Sequence, residues 1–337
     1  MQKEKLSVYV ITRFGIGQSL ESFYDRELIY IKNFLAKSIE MQKKYITKWI
    51  ILIDIKTPDH IYKKIKELAP KDLLYIYSED PFLVGSLKPN ITSVLKNVGV
   101  KTNDKIVTIR IDADDVFSND YVYTVLNTLI VNKLINKYEK VLIDAATGVY
   151  FYPSKNKLIR VFKKGFSIQA LYSIFNNNFI SVYDTSHQGL ENKITSNGGY
   201  CCTLNDRDFW LRSMRHFTAS RGRDKVGIFE GRFVFIKEII KSVLYKFSLS
   251  NTTYKEKVSL NDIFDRFQLS KELIETMKEH ERKIKNHKIE YSPMIKQIVD
   301  LEKTQNTFKL KGILLEMYKK EDSHIRKLEI KKEFYSF

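Results

Sequence analysis

Lys105-Ile106-Val107-Thr108-Ile109-Arg110-Ile111-Asp112-Ala113-Asp114-Asp115 is a β-like run that ends abruptly in three carboxylates within four residues. Like charges this close repel unless a cation neutralises them. Mg2+ or Mn2+ prefers hard oxygen ligands and can bridge to phosphates. A strand ending this way therefore points to a cation site facing a nucleotide-diphosphate donor. The same residue types also crowd strand ends and helix caps, and Ser118-Asn119-Asp120 just downstream reads as a cap. The pattern on either side has to decide between the two.

Upstream, Leu6 to Phe14 reads as a strand, and Asp25 to Met41 has helical apolar spacing. Trp49 to Ile55 is a second strand closing on Asp54. Thr57-Pro58-Asp59 opens a helix running to about Leu68, Leu73 to Tyr77 is a third strand, and Ile91 to Val98 is helical. Lys105 to Ile111 is the fourth strand, and Asp120 to Asn136 is an amphipathic helix. Val141 to Asp144 and Val149 to Tyr152 are expected to continue the same sheet, with Leu158 to Phe162 as a hairpin partner. Alternating strands and helices predict an α/β fold: a Rossmann-like, mostly parallel central sheet with flanking helices, whose ligands gather at the carboxyl ends of strands. Asp54 and Asp112 to Asp115 fall at such ends. Gly15-Ile16-Gly17 after the first strand is not a dinucleotide fingerprint, because position 20 is Leu20.

Composition bounds the rest. At 337 residues and 43% hydrophobic, the chain can bury one or two cores. From about Phe235 onward Lys and Glu dominate and Gly nearly vanishes, dividing the chain into an α/β part, 1–234, and a basic, mainly helical region, 235–337. Cys201 and Cys202 are adjacent, which suits reduced, buried thiols rather than a disulfide framework or a structural zinc site. The opening residues lack a signal-peptide pattern, and no segment reaches the roughly 20 apolar residues of a membrane span. A cytoplasmic protein is expected. A net charge of +17 calls for anionic partners: nucleotide diphosphates, acidic glycans, lipid head groups or nucleic acid.

With these pieces in order, the chain resembles nucleotide-sugar glycosyltransferases of the GT-A fold. Ile50 to Asp54 followed by Thr57-Pro58-Asp59 is similar to that family's second strand, Ile111 to Asp115 to its metal-binding DxD segment, and Asn205-Asp206-Arg207-Asp208-Phe209-Trp210-Leu211-Arg212 to its later EDxDLWLR segment. Ile11-Thr12-Arg13-Phe14-Gly15, Arg110 and Trp210-Leu211 before His216 are more particularly similar to the bacterial rhamnosyltransferases.

The resemblance implies roles by position. Asp54 would contact the nucleobase, Asp114 the ribose or the metal, and Asp115 a Mn2+ or Mg2+ ion bridging the donor phosphates. Asp112 would support them, and Thr12, Arg13 and Arg110 would line the nucleotide-sugar site. His216 would join the metal shell or the diphosphate. Asp206 would be the general base of an inverting hexosyl transfer, with Asp208 its competitor. Position 205 is Asn where the family pattern has Glu, and either Asp could instead cap a helix starting near Phe209. His187 lies in a polar loop that could hold acceptor or be a turn. The expected partners are a nucleotide-sugar donor and a glycan or lipid-linked glycan acceptor for capsule or lipopolysaccharide. The basic C-terminal helices could dock on the anionic inner face of the membrane. Oligomeric state is left open. The rival reading is a nucleic-acid-binding protein without catalytic activity, prompted by the basic charge and by twenty Tyr and twenty-one Phe. Against it, these aromatics fall within apolar periodic runs, as core residues do, and no nucleic acid partner is expected.

Overall fold

The computed structural model describes residues 6–16, 21–79, 90–152, 157–165, 168–213, 252–257, 260–267, 269–276 and 278–279. Its first half alternates strands and helices: β1 (Ser7–Phe14), α1 (Glu21–Tyr30), a π-helical turn (Ile31–Leu35), α2 (Ala36–Met41), β2 (Lys48–Asp54), α3 (Asp59–Lys66), β3 (Leu74–Glu79), α4 (Ile91–Asn97) and β4 (Lys105–Arg110). Then come β5 (Asp115–Phe117), α5 (Tyr121–Val131), α6 (Leu134–Lys137), β6 (Lys140–Ala145), β7 (Thr147–Tyr152), β8 (Lys157–Lys163) and β9 (Ile168–Ile174). The remaining elements are α7 (His187–Ser196), β10 (Tyr200–Leu204), β11 (Trp210–Ser213), β12 (Thr252–Lys257) and α8 (Leu260–Phe267).

Seven strands form the main sheet in the order β10-β6-β9-β4-β1-β2-β3, all parallel except β9, which runs antiparallel to both β4 and β6. Strands covered on both faces need apolar residues at every position. In β2, Trp49 to Ile53 are all at most 2% exposed. Successive residues serve opposite layers: Val8 and Val10 of β1 join the core under α1, α2 and α5, while Tyr9 and Ile11 join the core under α4 and α7. This is the mostly parallel α/β sheet that the alternation predicts, and it fits the GT-A fold that the resemblance implies. Strand β1 ends at Gly15, whose φ of 65° and lack of a Cβ let the Tyr24 ring pack against it; a Cβ there would lie 2.3 Å from Tyr24 Cε1.

Three expectations need correction. Residues 149 to 152 do not continue the main sheet. Strand β7 belongs to a second sheet, ordered β12-β8-β7-β11-β5, where the expected hairpin with β8 does form. The switch is made where the Trp210 indole lies over Gly148, so close that a Cβ would sit 2.1 Å from Trp210 Cδ2. The helix expected over 120–136 breaks at Lys133, which takes a left-handed φ of 52°, and restarts as α6. No helix begins near Phe209. Trp210 to Ser213 is strand β11, antiparallel to β5 and parallel to β7, so the acidic residues ahead of it cap no helix.

Within the Lys- and Glu-rich C-terminal region, the described residues include β12, which pairs with β8, and α8. Ile263, Phe267, Leu269, Leu273 and Ile274 are buried in one cluster with Tyr30, Phe34, Val116 and Leu211. Each such side chain contributes about 1.5–3 kcal/mol by leaving water, so this segment is part of the packing behind β5 and β11. Among the described Tyr and Phe residues that prompted a nucleic-acid reading, Tyr24, Tyr30, Tyr121, Phe117 and Phe209 are fully buried, while Tyr123 and Tyr200 are exposed. Cys201 and Cys202 are free and half-buried, and burial pushes each thiol up to about 11. Among the described residues no helix is long and apolar enough to cross a membrane.

Candidate active site

The site forms where β1 and β4 end side by side. The backbone N–H of Ile111 donates to the Ile11 carbonyl at 3.2 Å, carrying the β1–β4 ladder one residue beyond β4, and Asp115 N–H donates to the Asp112 carbonyl at 3.1 Å to close a tight turn. That turn sends Asp115 into β5, where its register partner on β11 is Arg212. Asp115 is fully buried, and Arg212 Nε donates to its two carboxylate oxygens at 2.9 and 3.0 Å. Arg212 Nη2 also reaches Asp115, and it donates to Asp112 Oδ2 at 3.2 Å. One guanidinium thus straddles two of the three clustered carboxylates.

Burial pushes the Asp115 carboxyl up, to about 7, against the opposing pull of Arg212, and the same pairing raises Arg212 above its ordinary value. Burial pushes Asp112 upward too. The charges of Arg212 and Arg110 more than reverse it, leaving Asp112 below the usual carboxylate range. Asp112, with 35% of its side chain exposed, and half-buried Asp114 are the carboxylates that reach solvent.

Beside the acidic turn lies a cationic wall. Arg110 and Arg13 project from the carboxyl ends of β4 and β1, and their guanidinium carbons lie 4.6 and 5.6 Å from the centre of the Tyr183 ring. Tyr183 is buried, and its hydroxyl donates to the Ile11 carbonyl at 3.3 Å. His187, the first residue of α7, is tied to Gln169 of β9: Gln169 Nε2 donates to the His187 carbonyl at 3.1 Å, and His187 Nδ1 lies 3.3 Å from Gln169 Oε1. Burial, then the charge of Arg110, lowers the His187 imidazole to about 3, so it is neutral at physiological pH.

The remaining candidates are placed as follows. Asp54, at the end of β2, is 1% exposed and accepts from the Lys56 backbone N–H at 2.9 Å. Thr12 points to the opposite face from Arg13, where its Oγ1 accepts from Trp49 Nε1 at 3.1 Å inside the core. Asp208 is buried, with both carboxylate oxygens 2.9 Å from Arg160 Nε. Asp206 is exposed just past β10 and accepts from Arg207 Nε at 2.7 Å, while Arg207 Nη1 reaches Asp120 at 3.0 Å. His216 lies outside the described residues. The structure therefore joins Arg13, Arg110, Asp112 and Asp115 with three residues to which sequence reading gave no role or only a loose one: Arg212, Gln169 and His187. Arg212 stands in the quoted Trp210-Leu211-Arg212 segment, yet nothing local marks it as the partner of a residue 97 positions earlier.

Among the described residues, no cluster of three or more His, Cys, Asp and Glu side chains forms a metal cage. The donor set suits a different mode. Two solvent-reaching carboxylates with substrate phosphates and water are how Mg2+ is commonly held, and Asp112 and Asp114 fit it, whereas both oxygens of Asp115 are engaged by Arg212.

The fold and the site together define an α/β protein in which a cationic wall and an acidic turn meet at the carboxyl ends of the central strands of a mostly parallel sheet. The family model described as "Putative rhamnosyl transferase" matches residues 25–225, more than half of the chain, and the chain belongs to that family. No curated protein matches. Among solved structures, the chain is similar to a putative nucleotide-diphospho-sugar transferase from Desulfovibrio desulfuricans G20, at 11% identity and a TM-score of 0.36 over 69% of this chain and 95% of that one. It is likewise similar to the inositol-1-phosphate CTP transferase from T. maritima, at 12% identity and a TM-score of 0.35 over 66% of this chain and 97% of that one. At scores this low the likenesses carry no inference about activity.

Proposed function

We propose that the protein transfers a sugar, rhamnose by the family's description, from a nucleotide-diphosphate donor to a hydroxyl of a bacterial surface glycan, with inversion at the anomeric carbon. The observation that supports this reading best is the joining of Arg13, Arg110, Asp112, Asp114 and Arg212 at the paired ends of β1 and β4. A donor lying across these strand ends would put its base toward Asp54, at the end of neighbouring β2, and its diphosphate against the arginines. Capsule or lipopolysaccharide as the acceptor rests on the family resemblance alone.

The chemistry sets what the residues must do. The bond from the anomeric carbon to the diphosphate oxygen breaks, and the leaving nucleoside diphosphate gains negative charge. Arg13 and Arg110 face that charge. A divalent cation held by Asp112 and Asp114 would add Lewis-acid stabilisation there. Arg212 keeps the acidic turn in shape by neutralising Asp115 from behind. The acceptor hydroxyl attacks from the opposite face and gives its proton to a carboxylate, a role for which the family resemblance offers Asp206, exposed and paired with Arg207. Asp208, committed to Arg160, is not.

A thermal-shift panel of nucleoside diphosphates and nucleotide sugars, each with Mn2+ or with chelator, tests the reading. One nucleotide family should raise the melting temperature with the concentration dependence RT ln(1 + [L]/Kd). A panel in which no nucleotide diphosphate or nucleotide sugar stabilises the protein under either condition would end it.

A further inference from the structure

We propose that the outward face of α5 is a membrane-docking surface, which seats the protein on a bilayer bearing anionic lipids. Such docking is independent of whether the chain transfers a sugar.

Helix α5 (Tyr121–Val131) has no charged residue among its eleven positions. A helix that is apolar all round is ordinarily enclosed by a core or by lipid, yet α5 is covered on one side only. Tyr121, Val122, Val125 and Leu129 point into the main core. On the other side Tyr123, Ile130 and Val131 are 50, 51 and 64% exposed, three of the six large apolar side chains that stand in solvent among the described residues. Their spacing of i, i+7 and i+8 lines them along one stripe, with exposed Asn127 as its polar member. Thr128 Oγ1 donates to the Thr124 carbonyl at 2.8 Å, so that hydroxyl is satisfied within the helix. Single apolar side chains are ordinary on a surface, whereas a contiguous row of them marks a contact.

The charge around the stripe selects the partner. From Tyr121 to Tyr138 there is no carboxylate, and Lys133 and Lys137, just beyond the end of α5, are exposed. Towards the start of the helix, the Tyr45 ring lies 5.6 Å from the Tyr123 ring, centre to centre, and exposed Lys44 holds its Nζ 4.8 Å from the Tyr45 ring centre. Glu40, in the same segment as Lys44, is paired with Lys43. Aliphatic side chains, tyrosine rings and lysines match in turn the acyl boundary, the headgroup level and the anionic phosphates of a bilayer. An apolar protein partner would not call for the lysines, and a nucleic acid would not call for Ile130 and Val131.

The full chain is sedimented with vesicles of phosphatidylcholine alone or with about one-third phosphatidylglycerol. Binding to the anionic vesicles that declines with added salt is expected, with far less on the neutral ones. A chain of net charge +17 could be held by charge alone, so the decisive variant leaves the charge unaltered: Ile130→Asn with Val131→Asn should weaken partitioning about tenfold or more. Lys133→Gln with Lys137→Gln should weaken it by a similar factor of about ten or more. All four positions are exposed, and circular dichroism confirms that each variant is folded. Val131→Trp adds a second reading: phosphatidylcholine brominated in its acyl chains should quench the new indole, while fully buried Trp49 and Trp210 are out of reach. Absence of binding to anionic vesicles, equal binding by the folded Asn pair, or no quenching of the new Trp overturns the proposal. So does a dimer mass by light scattering that the Asn pair returns to monomer, because a second copy would then cover the stripe.

Discussion

Replacing Arg212 by Met should destabilise the protein in a pH-dependent way. The Arg212 guanidinium bonds both oxygens of Asp115 through Nε at 2.9 and 3.0 Å and also reaches Asp112, while the Asp115 side chain is 1% exposed. Removing one partner of a buried pair leaves an uncompensated charge and costs about 3–5 kcal/mol. Asp115 can relieve part of this by taking a proton, because burial already pushes it to about 7 with Arg212 present. Without the guanidinium its value rises further. Below pH 7 the carboxyl is mostly protonated in both proteins, and the deficit reflects lost hydrogen bonds and packing. Above pH 7 the unaltered protein ionises and the variant does not, so the deficit should grow by about 1.4 kcal/mol per pH unit until the variant's own carboxyl titrates. Urea unfolding at pH 6 and pH 8 measures it, and fully buried Trp49 and Trp210 serve as fluorescence reporters. The double variant Asp115→Leu with Arg212→Met should recover much of the loss, as expected for a pair that acts mainly on each other. A deficit below about 1 kcal/mol at pH 8, or one equal at both pH values, would refute the account of the acidic turn.

Asp144 is 7% exposed, and burial pushes it up to about 6, above its unfolded value of 3.8; its stabilising contribution is present below 3.8 and is lost as pH rises through 6. Asp144→Asn should therefore gain on the unaltered protein by about 3 kcal/mol between pH 4 and pH 8 in chemical denaturation, and an equal difference at both pH values would contradict this. Asp206→Asn should lower kcat by about 10^2-fold or more while donor binding measured by calorimetry stays intact; a variant with full turnover removes Asp206 as the base. Gly148→Ala drives a methyl to within 2.1 Å of the Trp210 indole and 2.5 Å of its carbonyl oxygen, so urea unfolding should show a loss of about 3 kcal/mol, with an unchanged midpoint arguing against that close approach.

The alternation of apolar runs made the parallel part of the sheet legible, because β1, β2, β3 and β4 are each followed by the helical or turn signal that a crossover requires. What sequence could not supply was the insertion of β9 between β4 and β6. Ile168 to Ile174 is an apolar run like the others, and neither its direction nor its neighbours are written in its periodicity. Local reading failed at Phe209 for a related reason. Asp-x-Asp ahead of an apolar residue is a fair helix-cap signal, but the register with β5 and β7 makes the segment a strand, a tertiary effect. Among the site residues, the carboxylates at the end of β4 stood out as a cluster, yet spacing alone could not tell which face solvent. Only the pairing of β5 with β11 reveals that Asp115 turns inward to Arg212, while Asp112 and Asp114 remain accessible. Thr12 and Arg13 are neighbours in sequence but lie on opposite faces of β1, so just one of them belongs to the site.

The most direct test is a calorimetric titration of nucleotide-diphosphate sugars, in the presence of Mn2+, into the unaltered protein and into Asp114→Ala. At least one nucleotide sugar should bind saturably to the unaltered protein, and Asp114→Ala should weaken it about tenfold or more while unfolding at the same urea concentration. Binding of equal strength in the two proteins, or none in either, would contradict the placing of the donor at the acidic turn after β4.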